Sequence, residues 1–361
     1  MKLETLLSST RNWAPDRNTT DGVVVGSIVR MVRNLPGFPF PGWSTAESRA
    51  AVAEQLLPVL RGMQGFKNAF CSEMSKLSYG QRRALLTRKQ LTPCMAARQD
   101  GCYIIIPQRR PFIMMVNEEE HLVVHAFRNG LNFEDCVQGI QELDDTLQEE
   151  LNFAHSPRHG YLTSIPSEAG DGLQLYCLLH LPALTTANMM NQVTKALEKL
   201  HVSISPYFSD AQDDTGHLFV LFSIPGPEDS IDEMMDAFLD VVDHIVLREL
   251  QVRRKLQAEP GLHLQDAIAR AYGLLTNCRR LSIKELRDAV SLLRLGTLMG
   301  IVTWEEEERE MLIELNQFGL VQACEAAMAE EKGDPQLCLR RATAAREFLN
   351  KHPHRFSDNT I

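Results

Sequence analysis

Acidic side chains cluster at two places where the local sequence could act on a positively charged group. Glu118–Glu120 follows one apolar run, and Asp210–Asp214 lies between two others. Carboxylates are among the side chains that transfer protons in catalysis, although residue type and spacing do not assign that role to either cluster. A run of charges is equally typical of a solvated turn. The residues alone leave both interpretations open.

The cysteines indicate a reducing compartment and no metal site. All eight stand singly, without the CxxC or Cys/His spacing of a structural zinc site. In a chain of 361 residues this pattern is typical of buried thiols in the cytoplasm. We therefore predict a cytoplasmic protein with no bound metal.

Charge and hydropathy exclude several classes of function. A net charge of −10 disfavours a nucleic-acid surface, because backbone phosphates require an excess of Lys and Arg. No run of 18 apolar residues is present, so no membrane span is expected. The amino-terminal residues lack the apolar core of a signal peptide. Length and a hydrophobic content of 44% predict one large domain and a smaller one.

Apolar periodicity divides the chain into a mixed region and a helical region. We predict an α+β fold with an amino-terminal segment at 1–20, a first domain at 21–257 and a helical domain at 258–361. Asn132 is a predicted helix N-cap, and Ser230 with Glu233 forms a capping-box pattern. The strand-like runs are Val23–Val32, Cys102–Pro107, Phe112–Val116, His121–Phe127, Leu173–Leu181, Val202–Ser209 and His217–Ile224. The helical segments of the last region are Leu264–Leu275, Ile283–Gly296, Trp304–Gln317 and Gln336–Leu349.

Several motifs, in the same order along the chain, resemble the guanido phosphotransferases and in particular the bacterial protein arginine kinases. Ser27–Leu35 (SIVRMVRNL) resembles SSRIRLARNL, and Val116–Leu122 (VNEEEHL) resembles VNEEDHL. Gly160–Pro166 (GYLTSIP), with Gly170–Leu173 and His180–Leu184 after it, resembles GYLTSCPTNVGTGL and HLPAL. The resemblance extends over nearly the whole chain.

This resemblance implies a fold, a reaction and partners. The fold is a curved antiparallel sheet flanked by helices, of the guanido kinase and glutamine-synthetase-like type, with a helical domain that mediates homodimerisation. The reaction moves the γ-phosphoryl group of Mg-ATP to an arginine guanidinium, which needs cationic donors on the phosphates and a carboxylate on the guanidinium. The implied protein partners are a zinc-finger activator and a Clp-type ATPase of stress-response protein quality control.

Most of the arginines that clamp ATP in that family are replaced here. Arg30 is retained, whereas uncharged residues occupy the other positions: Ile28, Val123, Gln174 and Ser205. The alignment at Ser205 is fixed to within a residue or two. A charge-assisted hydrogen bond to phosphate contributes about 1.5–3 kcal/mol, so losing three or four such arginines costs on the order of 5–10 kcal/mol. Since about 1.4 kcal/mol is a factor of ten, we do not expect ordinary ATP use.

The resemblance also assigns the catalytic positions. Ile165 stands where the family has its reactive cysteine, which excludes thiolate chemistry there. Glu119 takes the place of the carboxylate that faces the guanidinium. It either belongs to a retained arginine-facing pocket or is a relic within a solvated acidic turn. Asp210 corresponds to the second catalytic carboxylate, with Asp213 and Asp214 as close alternatives.

A phosphoarginine-sensing motif of the family, RDxxRA, aligns with Leu337–Ala342. Arg341 and Ala342 match, but Leu337 and Cys338 replace the leading Arg and Asp. Binding a phosphate and a guanidinium together requires a cation beside an acid. We therefore expect Arg340 and Arg341 to lie on an exposed helix face.

Three functions remain open from the sequence. The first is a regulatory or protein-interaction module that has lost phosphoryl transfer. The second is an active arginine kinase whose phosphate site is rebuilt from other arginines, namely Arg30, Arg33, Arg109, Arg110 and Arg158. The third is a different small-molecule activity in a remodelled cleft, with Glu168 and Asp171 as its polar groups.

Overall fold

A computed structural model describes the protein at Leu3 and over residues 22–108, 111–208, 215–224, 230–258, 263–330 and 336–356. Eight strands form one sheet in the order β2-β3-β4-β5-β1-β8-β10-β9, and all neighbours in it are antiparallel. The strands are β1 (Val24–Arg33), β2 (Phe70–Glu73), β3 (Tyr103–Ile106), β4 (Phe112–Val116), β5 (Leu122–Asn129), β8 (Leu173–His180), β9 (Val202–Pro206) and β10 (Leu218–Ser223). Two short strands, β6 (His155–Ser156) and β7 (Gly160–Tyr161), form a separate hairpin.

The helices pack against both faces of this sheet. They are α1 (Ala46–Gly62), α2 (Tyr79–Thr87), α3 (Pro93–Ala97), α4 (Phe133–Gln148), α5 (Pro182–Thr186), α6 (Met190–Leu197), α7 (Ile231–Ala258), α8 (His263–Asn277), α9 (Ile283–Leu298), α10 (Glu308–Glu330) and α11 (Leu337–Lys351). The predicted α+β class and antiparallel sheet are confirmed. None of the helices in the described ranges is both long and apolar enough to cross a membrane.

Alternation along β1 sends its side chains into two different cores. Val29 and Met31 join the large core under α1, α4 and α7. Val32 points the other way, into a second core with Val123 that helix α2 covers. From Ile28 onward, residues of β1 with even numbers therefore face the side of the sheet on which α2 and α3 lie, whereas the register shift between Val24 and Gly26 leaves Val24 in the large core.

Helix starts follow the expected capping chemistry at most points. Ser230 and Glu233 exchange side-chain-to-backbone hydrogen bonds as predicted. Asn132 does precede α4, but its side chain makes no capping hydrogen bond and donates instead to the Asn129 carbonyl. The predicted N-cap position is therefore confirmed, although its side chain does not supply the capping hydrogen bond.

The carboxyl-terminal helices pack around their own core, which contains residues from Leu264 to Leu349. The predicted helix Trp304–Gln317 starts too early. Trp304 belongs to a short strand, β11 (Val302–Trp304), which pairs with β12 (His354–Phe356). The Trp304 indole donates to Thr297, so tertiary contacts override the local apolar period.

Alanine substitution at each of two glycines in these helices tests how the helices pack. A Cβ on Gly273 in α8 would meet nothing within 4 Å, whereas on Gly296 in α9 it would lie 2.7 Å from Cγ2 of buried Ile268. We expect Gly273→Ala to raise the free energy of unfolding by about 0.5–1 kcal/mol. Gly296→Ala should lower it by about 1–3 kcal/mol through overpacking. Urea unfolding measures both, and shifts of the same sign would contradict this packing.

Candidate functional site

A cleft of about 620 Å³ lies between the sheet and the segment that runs from α2 to α3. The sheet register sets its floor, because Arg30 on β1 is opposite Gln174 on β8 and His125 on β5. Ile28 and Tyr176 form the next pair along. The other floor residues are Leu178, Ser205, Val220 and Phe222.

The opposite side of the cleft is mostly apolar. It consists of residues between the end of α2 and α3: Leu86, Thr87, Lys89, Leu91, Thr92, Pro93 and Cys94. Glu118, Glu119 and Glu168 border the cleft around Arg30, and Tyr207 and Phe208 complete its lining. The interior thus combines aromatic and aliphatic walls with one charged cluster.

The guanidinium of Arg30 is already bonded to carboxylates of the protein. Its Nη1 donates to Oε2 of Glu168 at 2.7 Å, and its Nη2 lies 3.9 Å from Oε2 of Glu119. The Arg30 side chain is 7% exposed and that of Glu168 is 15% exposed. Burial alone would lower the pKa of Arg30, but Tyr176 and Glu168 outweigh it and raise that pKa. The Arg30 guanidinium is therefore held in place, and its charge is neutralised by carboxylates of the protein.

Glu118 and Glu119 differ in exposure. Glu118 is 2% exposed and accepts hydrogen bonds from the Thr92 hydroxyl and the Glu119 amide. The Glu119 side chain is 45% exposed. Partial burial, followed by the charge of Glu118, raises the pKa of Glu119. Of the two, Glu119 is the carboxylate that a ligand in the cleft can reach.

The charged groups make this cleft net negative. Among its described lining residues, Arg30 and Lys89 oppose Glu118, Glu119 and Glu168. The Lys89 ammonium lies 4.7 Å from the centre of the Tyr207 ring. Burial and the charge of Arg30 lower the pKa of His125 to about 3, so this imidazole adds no charge at neutral pH. Such a site repels phosphate and attracts cations.

The family's ATP-arginine positions do not all reach this cleft. Ile28, Gln174 and Ser205 line it. The Gln174 amide donates to the Ser223 carbonyl at 2.7 Å and accepts from the Tyr176 hydroxyl. Val123, in contrast, is absent from the lining and lies buried in the second core between Val32 and Met115.

The remaining predicted site residues are also dispersed. Ile165 is 38% exposed and lies outside the cleft lining. Asp171 is exposed, and its carboxylate accepts from the Ile231 amide at the start of α7. Asp210, Asp213, Asp214, Arg109 and Arg110 lie outside the described residues.

Arg341, expected on an exposed face, is 3% exposed and donates to the Leu281 carbonyl, so that expectation was wrong. Its neighbour Arg340 is exposed as expected.

Arg33 and Asn34 hold the loops that carry the acidic cluster. Arg33 makes a two-pronged ion pair with Asp144 at 2.7 and 3.0 Å, and its guanidinium stacks 3.5 Å from the Tyr161 ring centre. Asn34 donates to Glu120 at 2.6 Å, and Glu120 also accepts from the Ser164 amide and hydroxyl. Glu120 thus ties the turn of Glu118–Glu120 to the loop that leads to Glu168.

Sequence reasoning missed several cleft residues, and one signal could have found some of them. Alternation in β8 places Tyr176 on the same face as Gln174. Cys94, Tyr207 and Phe208 lie outside the matched motifs, and nothing local marks them. Glu168 was predicted only as a polar group of a remodelled cleft, without its partner Arg30.

Comparison with known proteins agrees with this architecture. The family model of the ATP:guanido phosphotransferase C-terminal catalytic domain matches residues 51–251, and that of the protein-arginine kinase McsB C-terminal domain matches residues 261–359. A protein-arginine kinase of Desulforamulus reducens is 30% identical over 308 residues, which cover 83% of this chain and 85% of that protein. One from Geobacillus stearothermophilus is 27% identical over 349 residues, 95% of this chain and 94% of that protein.

Solved structures with this fold are guanidino kinases of low sequence identity. A duplicated taurocyamine kinase from Schistosoma mansoni, with bound transition-state-analogue components, aligns with a TM-score of 0.58 at 18% identity. The alignment covers 78% of this chain but only 39% of that duplicated chain. A lombricine kinase aligns with a TM-score of 0.55 at 18% identity, over 70% of this chain and 78% of that one. These structures share the fold, and the matched family models together with the 30%-identical relative place the chain in the protein-arginine kinase family of ATP:guanido phosphotransferases.

Proposed function

We propose that this chain has lost phosphoryl transfer from Mg-ATP and acts as a regulatory or protein-interaction member of its family. In this proposal the cleft keeps a site for an arginine side chain. The observation that carries it is the 2.7 Å contact between Arg30 and Glu168. The one arginine retained at a family ATP position is bonded to a carboxylate of the protein.

Electrostatics supports the loss of nucleotide binding. A triphosphate would have to displace Glu168 from Arg30 and then lie beside Glu118 and Glu119, which carry its own sign of charge. Ile28, Gln174 and Ser205 offer no compensating cations on the floor. Like charges in a partly buried site cost several kcal/mol, because solvent screens them poorly.

The same groups support a cationic ligand. A guanidinium could donate to Glu119, whose side chain remains 45% exposed. Tyr176 and Phe222, which stack with ring centres 5.9 Å apart, offer a flat aromatic surface beside it. Arginine uses both kinds of contact, since its planar guanidinium pairs with carboxylates and packs on aromatic rings.

The proposal extends to partners and assembly. We infer that the arginine comes from another protein and that the chain forms a homodimer through residues 258–361 in the cytoplasm. The family resemblance favours a zinc-finger activator or a Clp-type ATPase as that other protein. Size-exclusion chromatography with light scattering tests the dimer, and a monomer at micromolar concentration would refute it.

A pair of titrations tests the binding specificity. Mg-ATP at millimolar concentration should leave the melting temperature unchanged, whereas a ligand at 100 times its Kd stabilises by about 2.7 kcal/mol. An arginine-rich peptide should bind, and Glu119→Gln should weaken that binding roughly tenfold through loss of one charge-assisted hydrogen bond. A lysine-for-arginine peptide of equal charge is the matched ligand control. Micromolar binding of ATP would refute the proposal.

Peptide affinity should also depend on pH in a definite direction. The ligand guanidinium stays charged, so binding follows ionisation of Glu119 and is present above its pKa. Because burial raises that pKa above the ordinary 4.5, affinity should decline before an exposed glutamate would protonate. Glu119→Gln should give a flat profile over the same pH series. An unchanged decline in that variant would mean that another group controls binding.

An active kinase with a rebuilt phosphate site is the second candidate. Arg33 is bonded to Asp144 and Tyr161, and Arg158 is exposed and outside the cleft lining. Neither can supply the lost charge without rearrangement. Incubation with γ-labelled ATP and an arginine-rich protein decides between the candidates. Acid-labile label that disappears in Glu119→Gln would establish the kinase and overturn our proposal.

A further inference from the structure

Tyr207 and Phe208 separate the cleft from a second, smaller cavity. This cavity, of about 70 Å³, lies between the sheet and the carboxyl-terminal helices. Both aromatic residues line both cavities, so together they form a wall between them, here called the aromatic wall. Any displacement of the aromatic wall changes the shape of the cleft.

One side of α9 contacts Phe208 of the aromatic wall and, later in the sequence, Gly216 and His217. The Arg287 guanidinium stacks 3.7 Å from the centre of the Phe208 ring. Asp288 accepts a hydrogen bond from the Gly216 amide at 2.7 Å. The Ser291 hydroxyl is hydrogen-bonded to His217 Nδ1, at 2.7 Å. Ser291 is four residues from Arg287 and three from Asp288, spacings that make side chains neighbours on a helix surface, so a single helix can make all three contacts.

These contacts are close and largely sheltered from water. Gly216 has φ +74°, and a Cβ there would lie 3.3 Å from Cβ of Arg287, so the chain approaches the helix as only glycine allows. Ser291 is 4% exposed and also bonds Nε2 of buried His180, at 2.7 Å. Hydrogen bonds in such surroundings are costly to break, because the separated groups are not resolvated.

The carboxyl-terminal region also contacts the opposite side of the cleft. Helix α10 packs along α2, where Cys324 lies in the second core and its thiol donates to the Ala84 carbonyl. The Tyr207 hydroxyl donates to the Thr87 carbonyl at 2.9 Å and so joins the aromatic wall to the end of α2. The carboxyl-terminal helices therefore brace both sides of one cleft.

We propose that Arg287, Asp288 and Ser291 form a clamp through which the carboxyl-terminal helical region positions the aromatic wall and controls access to the cleft. The clamp transmits any event that shifts α9, such as contact with a partner protein, to Tyr207 and Phe208. This positioning holds whichever ligand the cleft takes, so it stands or falls independently of the proposed function.

Cys94 provides a reporter inside the cleft. Its thiol is half-buried there, and burial followed by the charge of Glu118 raises its pKa to about 11. It should therefore react slowly with a thiol reagent until the cleft opens. The fully buried Cys177 reports global unfolding in the same sample. Peptide mass spectrometry measures both rates in the full-length protein.

The double variant Asp288→Ala/Ser291→Ala tests the clamp. Each lost hydrogen bond contributes about 1 kcal/mol, so we expect Cys94 labelling to accelerate roughly fivefold or more and to remain much faster than labelling of Cys177. Arg270→Ala, which removes an exposed ion pair on α8, is the matched control and should change neither rate. Exchange of the Tyr207 amide, bonded to the Leu218 carbonyl, should also become faster.

Two outcomes would overturn the clamp. In the first, Cys94 labelling and Tyr207 amide exchange stay at the rates of the unaltered protein. In the second, Cys94 is labelled no faster than Cys177 in the double variant, which means that Cys94 reacts only when the whole fold opens. Faster labelling of Cys94 and faster exchange at Tyr207, both well ahead of Cys177, support the clamp.

Discussion

Glu168→Gln is expected to bind inorganic triphosphate roughly tenfold to hundredfold more tightly than the unaltered chain. The substitution keeps the shape of the side chain and removes the negative charge 2.7 Å from the Arg30 guanidinium. Arg30 then becomes available to an anion, and the net charge of the cleft becomes more positive by one unit. Charge-assisted hydrogen bonds to phosphate contribute about 1.5–3 kcal/mol, which sets the expected range. Isothermal titration calorimetry measures the change.

Glu54→Gln is the matched control for this gain. Glu54 is exposed on α1 and outside the cleft lining, so the substitution changes net charge equally without touching Arg30. Its triphosphate affinity should equal that of the unaltered protein. Equal affinities in all three proteins would show that Glu168 does not block an anion site at Arg30.

Arg30→Met is expected to lower the free energy of unfolding by about 3–5 kcal/mol. Methionine fills the space of the arginine stem but leaves Glu168 and the 2%-exposed Glu118 without their nearby cation. An uncompensated carboxylate in a poorly solvated place is costly, which is why the effect exceeds that of an ordinary ion pair. Chemical denaturation monitored by circular dichroism measures the loss.

A second substitution separates charge from packing in this result. In Arg30→Met/Glu168→Leu one of the two uncompensated carboxylates, that of Glu168, is gone, so the double variant should be more stable than Arg30→Met by about 1–3 kcal/mol. Arg270→Met, which breaks an exposed pair with Asp266, should cost less than about 1 kcal/mol. Losses that simply add would mean that Arg30 and Glu168 do not stabilise each other.

The two results together bear on how a member of this family can lose nucleotide. Substitution at Ile28, Gln174 and Ser205 removes attraction for phosphate, whereas Glu168 adds repulsion at the one arginine that remains. If Glu168→Gln binds triphosphate measurably, repulsion is the stronger of the two effects. The Arg30 result then explains why the arginine persists, since the fold depends on it to neutralise the acidic cluster.

Local patterns were enough to predict the class of fold and most of its strands. Short continuous apolar runs predict strands that are buried on both faces, and this holds for nearly all of β1, β4 and β8 and for the start of β5. The motifs around Arg30, Glu119 and Gly160 identified the family, and the substitutions at Ile28 and Gln174 could be read directly. All of these features depend on residue type and spacing within a short stretch of chain.

Tertiary structure alone decided which groups meet. Arg30 and Glu168 are 138 residues apart in sequence, and they pair because β1 lies beside β8 and Glu168 lies in the loop before β8. The pairing of β5 with β1 buries Val123 away from the cleft, and the pairing of β11 with β12 draws Trp304 into a strand. Local propensity does not encode such contacts. They form between residues that are far apart in sequence, and buried polar groups compete for the same partners. For that reason the cleft's acidic character and the α9 clamp became visible only in the folded protein.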